Sequence, residues 1–129
     1  MMELSLGLIE TVSAPPLAPV DRMIDLDHLS RMTLGDRELE GEVLRLFDRQ
    51  AAMLMTRMDA GDTAIAAAAA HTLKGSAAGI GAWPVARAAG AVETAALARD
   101  ASNLALQLSG LKAAVRDARA EIADLLRAA

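Results

Sequence analysis

Cysteine is absent from the 129 residues, and so is tyrosine. Without thiols the chain can form neither a disulfide framework nor a thiolate metal site. Its two histidines, His28 and His71, lie far apart, and neither has a partner at metal-ligand spacing. Aromatic residues are limited to Phe47 and Trp83, which leaves no stacking platform for nucleic-acid bases. Basic blocks are missing too. Lys and Arg total 13 against 17 acidic residues, a formal net charge of −4, which is the wrong balance for holding a phosphate backbone. No apolar run is long enough to span a bilayer. The opening MMELSLGLIE carries an acidic residue where a secretory signal carries basic ones. The expectation is a cytoplasmic protein that engages neither nucleic acid nor membrane.

What is present is alanine and leucine in abundance with few β-branched residues. Such a composition favours helix and disfavours sheet, so the predicted fold class is all-α. Residues 1–22 contain Pro15, Pro16 and Pro19, which fix φ and remove donors. This stretch reads as a flexible tail, and the domain as residues 24–127. A short helix is expected around Asp25-Leu26-Asp27-His28-Leu29, followed by a Gly35-Asp36 break. Thr33 or Asp36 can cap the next helix, which runs to about Ala60 with Leu39, Val43, Phe47 (with Leu46), Ala51, Leu54 and Met58 as its apolar stripe. Gly61-Asp62 ends that helix and caps a third, which extends to about Ile80. Pro84 suits the first turn of a fourth, covering about 83–98, and Asp100 or Ser102 can cap a fifth over about 102–127. Short connections between four long helices predict an antiparallel up-down-up-down bundle with a short extra N-terminal helix. The helices can bury their stripes against one another, so a monomer is expected.

His71 stands out on the third helix. At roughly 100° per residue, it shares a face with Ala64, Ala67, Ala68, Lys74, Gly75 and Ala78, while Leu73 and Ile80 point the other way, toward the core. An outward imidazole is a nucleophile that works near neutral pH. Its small neighbours leave room for a bulky donor. Gly75 is informative because a mid-helix glycine costs about 1 kcal/mol against alanine, and this helix is otherwise rich in alanine. Lys74, three residues after the histidine, can reach phosphoryl oxygens carried on the ring. Nε2 is the expected site of attack, since it extends furthest from the backbone. The chain has neither a Walker-type phosphate loop nor a kinase glycine-rich loop, so it is not expected to phosphorylate itself from ATP.

The stretch His71-Thr72-Leu73-Lys74-Gly75-Ser76-Ala77-Ala78-Gly79-Ile80-Gly81-Ala82 closely resembles the signature of the histidine phosphotransfer (HPt) domain family. The resemblance extends to Leu46-Phe47 on the preceding helix and to Val92-Glu93 on the following one, and covers about residues 24–127. One departure is Thr72, where some members carry a glutamine that helps order the phosphoryl pocket. The resemblance implies a four-helix bundle with a phosphorylatable histidine exposed in mid-helix. It would serve as a phosphocarrier rather than an enzyme in a two-component phosphorelay. Its partners would be the receiver domain of a hybrid histidine kinase and a response regulator. The receiver supplies Mg²⁺, so no cofactor of its own is expected. A non-catalytic module that binds and sequesters receivers through the same face is the alternative, and a plain structural bundle a third reading. The last gives no reason for Lys74-Gly75 to follow His71. By themselves His28 reads as a surface or helix-end residue, Trp83 as a cap on the bundle end, Phe47 as core, and Glu93 as one half of a surface ion pair.

Overall fold

The structure is a computed structural model that describes residues 22–128. The expected tail, residues 1–22, lies outside the described residues except for Arg22. Helix α1 spans Leu26–Met32, α2 Arg37–Ala60, α3 Thr63–Ile80, α4 Trp83–Leu97 and α5 Ala101–Ala128. Aspartate begins four of them. Asp25, Asp36 and Asp62 accept hydrogen bonds from backbone N–H groups in the first turns of α1, α2 and α3, and Asp100 accepts from Asn103 N at the start of α5. Each carboxylate satisfies a donor that the helix itself leaves unpaired and complements the positive end of the dipole. Helix α4 has no side-chain cap and relies on Pro84, whose missing N–H costs nothing in a first turn.

Connections of Gly61-Asp62, Gly81-Ala82 and Ala98-Arg99-Asp100 are too short for anything but a reversal. Helices α2 to α5 therefore alternate in direction, each packs on the next, and α5 returns to α2 to close the ring. Two ion pairs across the α2–α5 seam confirm the antiparallel sense: Asp48 with Arg119 at 2.7 Å, and Asp59 with Lys112 at 3.0 Å. The most extensive packing is between α3 and α4, where Ala70, Ala77, Ala89 and Ala96 let the backbones approach closely. Leu73, Val85, Val92, Leu111 and Ile122 fill the centre and are buried almost completely. Burying side chains of this size contributes about 1.5–3 kcal/mol each.

Three details differ from the sequence-based expectations. The buried stripe of α2 is Leu44, Phe47, Ala51, Leu54 and Met58, while Leu39 and Leu46 face out and Val43 is half-buried. Alternating three- and four-residue steps keep that set on one line, and Leu39 lies off it. On α3, Ala67 is buried although it shares the His71 side, because α3 is flanked by both α2 and α4. Gly61 is not in the left-handed conformation expected of a C-terminal glycine, since its φ is −91°. It is glycine because a Cβ there would lie 2.5 Å from Ile65 Cγ2 and 2.9 Å from the Arg57 carbonyl oxygen. Gly81 does adopt the left-handed form, at φ 80°. Bonds from Gly81 N to Ala78 O and from Ala82 N to Ala77 O close α3 as a Schellman turn.

Helix α1 lies across the end of the bundle where α3 ends and α4 begins. Asp25 N donates to Gly81 O at 2.9 Å, and Trp83 Nε1 donates to Asp25 Oδ2 at 3.0 Å. Trp83 thus caps the bundle end, as expected. His28 is no ordinary surface residue: its ring is half-buried and packs edge-on against Trp83, 5.0 Å between centroids.

Candidate functional site

His71 sits midway along α3, with its side chain 67% exposed. The residue is placed there by the core set of its own helix. Ala66, Ala70, Leu73, Ala77 and Ile80 are buried, and their spacing turns position 71 toward solvent. Ala68 and Thr72 beside it are exposed, and the Thr72 hydroxyl is turned back onto the Ala68 carbonyl at 3.1 Å. Gly75, one turn on, is exposed as well, and a Cβ built at that position meets no atom within 4 Å. Nothing inside the fold requires glycine there. The clearing expected from the sequence is present.

One member of the site comes from the neighbouring helix. Glu93 of α4 reaches across the α3–α4 seam, and its carboxylate contacts both cationic candidates of α3. Its Oε2 lies 2.9 Å from His71 Nδ1, and its Oε1 accepts from Lys74 Nζ at 2.9 Å. The Glu93 side chain is only 19% exposed, against 42% for Lys74. Hydrogen bonding from Lys74, together with the His71 contact and the nearby positive charge, holds the Glu93 carboxyl below the ordinary glutamate range. Glu93 is therefore ionised at neutral pH and can only accept. The hydrogen in this contact therefore sits on Nδ1, and in the neutral ring that tautomer leaves the Nε2 lone pair free. Lys74 is correspondingly not a free ammonium but is paired with Glu93.

Sequence reasoning placed His71, Lys74 and Gly75 together on one face, and the structure brings them together there. It marked Glu93 only as part of the family resemblance and otherwise as half of a surface ion pair, and did not connect it with His71. No periodicity along α4 marks Glu93 as different from Thr94 or Arg87. Only the packing of α4 on α3 reveals its reach. On the other flank of α3, a groove of about 350 Å³ runs along the α2–α3 seam, lined by Gln50, Met53, Ile65, Ala68 and Thr72 among others. Met53, Ile65 and the nearby Leu46 are large apolar side chains about half exposed. Among the described residues no group of three His, Cys, Asp or Glu side chains is disposed to hold a metal ion, and no helix is long and apolar enough to cross a membrane.

The chain is thus an all-helical bundle that presents a solvent-exposed histidine with a carboxylate on Nδ1. Residues 42–128 match the Hpt domain family, and the chain belongs to that family. Hpt domains serve histidine phosphotransfer in phosphorelays and interact with receiver domains. The fold is similar to the X-ray structure of a rice protein assigned as a histidine-containing phosphotransfer protein. The TM-score is 0.71 and the identity 18%, over 81% of this chain and 80% of that one. None of the curated proteins matches this sequence.

Proposed function

We propose that this chain relays a phosphoryl group through Nε2 of His71 between the aspartates of two receiver domains, one in a hybrid histidine kinase and one in a response regulator. The observation that carries this reading is the Glu93–His71 contact. In the neutral ring it assigns the hydrogen to Nδ1 and leaves the outer nitrogen, on a side chain that is two-thirds exposed, as the nucleophile. In the forward step the Nε2 lone pair attacks phosphorus. An N–P bond forms, the acyl O–P bond of the aspartyl phosphate breaks, and the aspartate leaves as a carboxylate. The ring keeps its Nδ1 proton and gains positive charge, which the Glu93 carboxylate stabilises by a charge-assisted hydrogen bond. Lys74 then turns from Glu93 to the phosphoryl oxygens, and the reverse sequence discharges the group onto the second receiver.

Mg²⁺ comes from the receiver in this scheme, and the chain contributes no metal ligand. It has no autokinase activity and acts as a cytoplasmic monomer. The apolar α2–α3 groove beside His71 offers surface for a receiver to bury. Gly75 leaves the approach to the ring open.

The test is incubation with a phosphorylated receiver. The wild-type chain acquires acid-labile, alkali-stable label, and His71→Gln acquires none while keeping its helical circular dichroism. A wild-type chain that binds the receiver yet takes no label would instead be a sequestering module.

A further inference from the structure

A groove of about 510 Å³ opens between α1, the start of α2 and the end of α5, with no residue of α3 or α4 in its lining. Its surface is largely apolar: Leu26, Leu125 and Leu126 are partly exposed over the buried Leu29 and Leu44, with Arg37 and Glu40 contributing one charge of each sign. The groove exists because α1 is committed elsewhere. Asp25, Gly81 and Trp83 fasten it to the α3–α4 corner, so it stands away from α2 and α5. Gly35 and Gly41 put no side chain into the gap.

The chain enters the fold beside this groove. The backbone N–H groups of Met23 and Ile24 donate to Glu121 Oε1 and Oε2 of α5, at 2.9 and 3.0 Å. Leu125 lies one helical turn further along α5, about 6 Å away. The residues that precede this anchor carry their own apolar set. Leu4, Leu6, Leu8 and Ile9 fall within the first ten positions, separated from the anchor by the stretch containing Pro15, Pro16 and Pro19. A chain running back from Arg22 to Ile9 spans roughly 40 Å when extended, ample to fold back over α5.

We propose that residues 4–9 of the same chain dock in the α1–α2–α5 groove and cover its leucines. This surface contains no part of α3 or α4, so docking leaves His71 free and acts on stability rather than on transfer. The absence of cysteine makes the test direct. A nitroxide is placed on the full chain at Met2→Cys, and amide broadening is read by NMR in isotope-labelled protein. Broadening of Leu26, Gly41, Leu125 and Leu126 is expected, with Ala95 and Ala96 at the far end unaffected. It should be lost when Leu6→Asp and Leu8→Asp are added, and those two changes should lower Tm while leaving phosphotransfer unchanged. The proposal is overturned if the groove amides do not broaden, or broaden equally with both aspartates present, as a merely tethered tail would produce. It is overturned too if broadening arises only between nitroxide-bearing and isotope-labelled copies mixed together, which would put a second copy in the groove.

Discussion

His71 and Glu93 show how two side chains of ordinary chemistry acquire a direction by contact. An isolated imidazole divides its proton between two nitrogens. The 2.9 Å contact with an ionised carboxylate assigns it to Nδ1. A hydrogen bond to a charged partner contributes about 1.5–3 kcal/mol. If most of that is realised as the ring gains charge, Glu93→Ala should slow phosphoryl uptake about ten- to a hundredfold. Nitrogen chemical shifts of the His71 ring should move in the same variant from the single Nδ1–H form toward a mixture of tautomers, with circular dichroism unchanged. Equal rates and an unchanged tautomer would remove Glu93 from the mechanism. The pH dependence has a defined sign. The folded Glu93 pKa lies below its unfolded value, with the Lys74 hydrogen bond the largest cause. The stability it contributes is complete above the ordinary glutamate range and is lost as pH falls through the depressed value.

Among the elements, α3 carries a tension between stability and access. Gly75 is exposed and no atom lies within 4 Å of the place a Cβ would take. Gly75→Ala should therefore stabilise the helix by about 1 kcal/mol, raising Tm by roughly 4 °C. Gly75→Leu should also fold, since nothing in the chain opposes the larger side chain, but should block transfer by crowding the incoming receiver. Calorimetry of both variants beside a transfer assay separates the two effects. Transfer by Gly75→Leu at the wild-type rate would refute the steric account. Gly61 presents the opposite case. The contacts a Cβ would make with Ile65 and the Arg57 carbonyl are far too close, so Gly61→Ala should lower stability by about 1–3 kcal/mol, measurable as a fall in the urea midpoint.

At the scale of the whole molecule, Asp25 ties α1 to the corner where α3 ends and α4 begins. One carboxylate oxygen caps α1 through His28 N, and the other accepts from Trp83 Nε1. The Trp83 bond is the chief reason the Asp25 carboxyl titrates below the usual aspartate range. Its contribution is present above the unfolded aspartate pKa and is lost as pH falls through the folded one. Asp25→Ala should cost about 1–2 kcal/mol. It should speed hydrogen exchange in α1 before the rest of the bundle, and flatten the acid side of the stability profile. Uniform exchange across all five helices would mean that α1 does not open separately.

Local rules read from the sequence decided a great deal here. Aspartates at 25, 36, 62 and 100 begin helices, because capping needs only the next three residues. Short connections forced the antiparallel order. The outward face of α3 followed from the spacing of Leu73 and Ile80 around His71. Tertiary packing alone decided what depends on a second helix. Glu93 joins His71 only because α4 rests on α3, and Lys74 is paired rather than free for the same reason. Leu44 rather than Leu39 lines the core because the neighbouring helices select one line of the α2 surface. Gly61 is required by the Ile65 side chain and not by its own φ. Periodicity along one helix says which way a side chain points, and the partner helix determines what it meets.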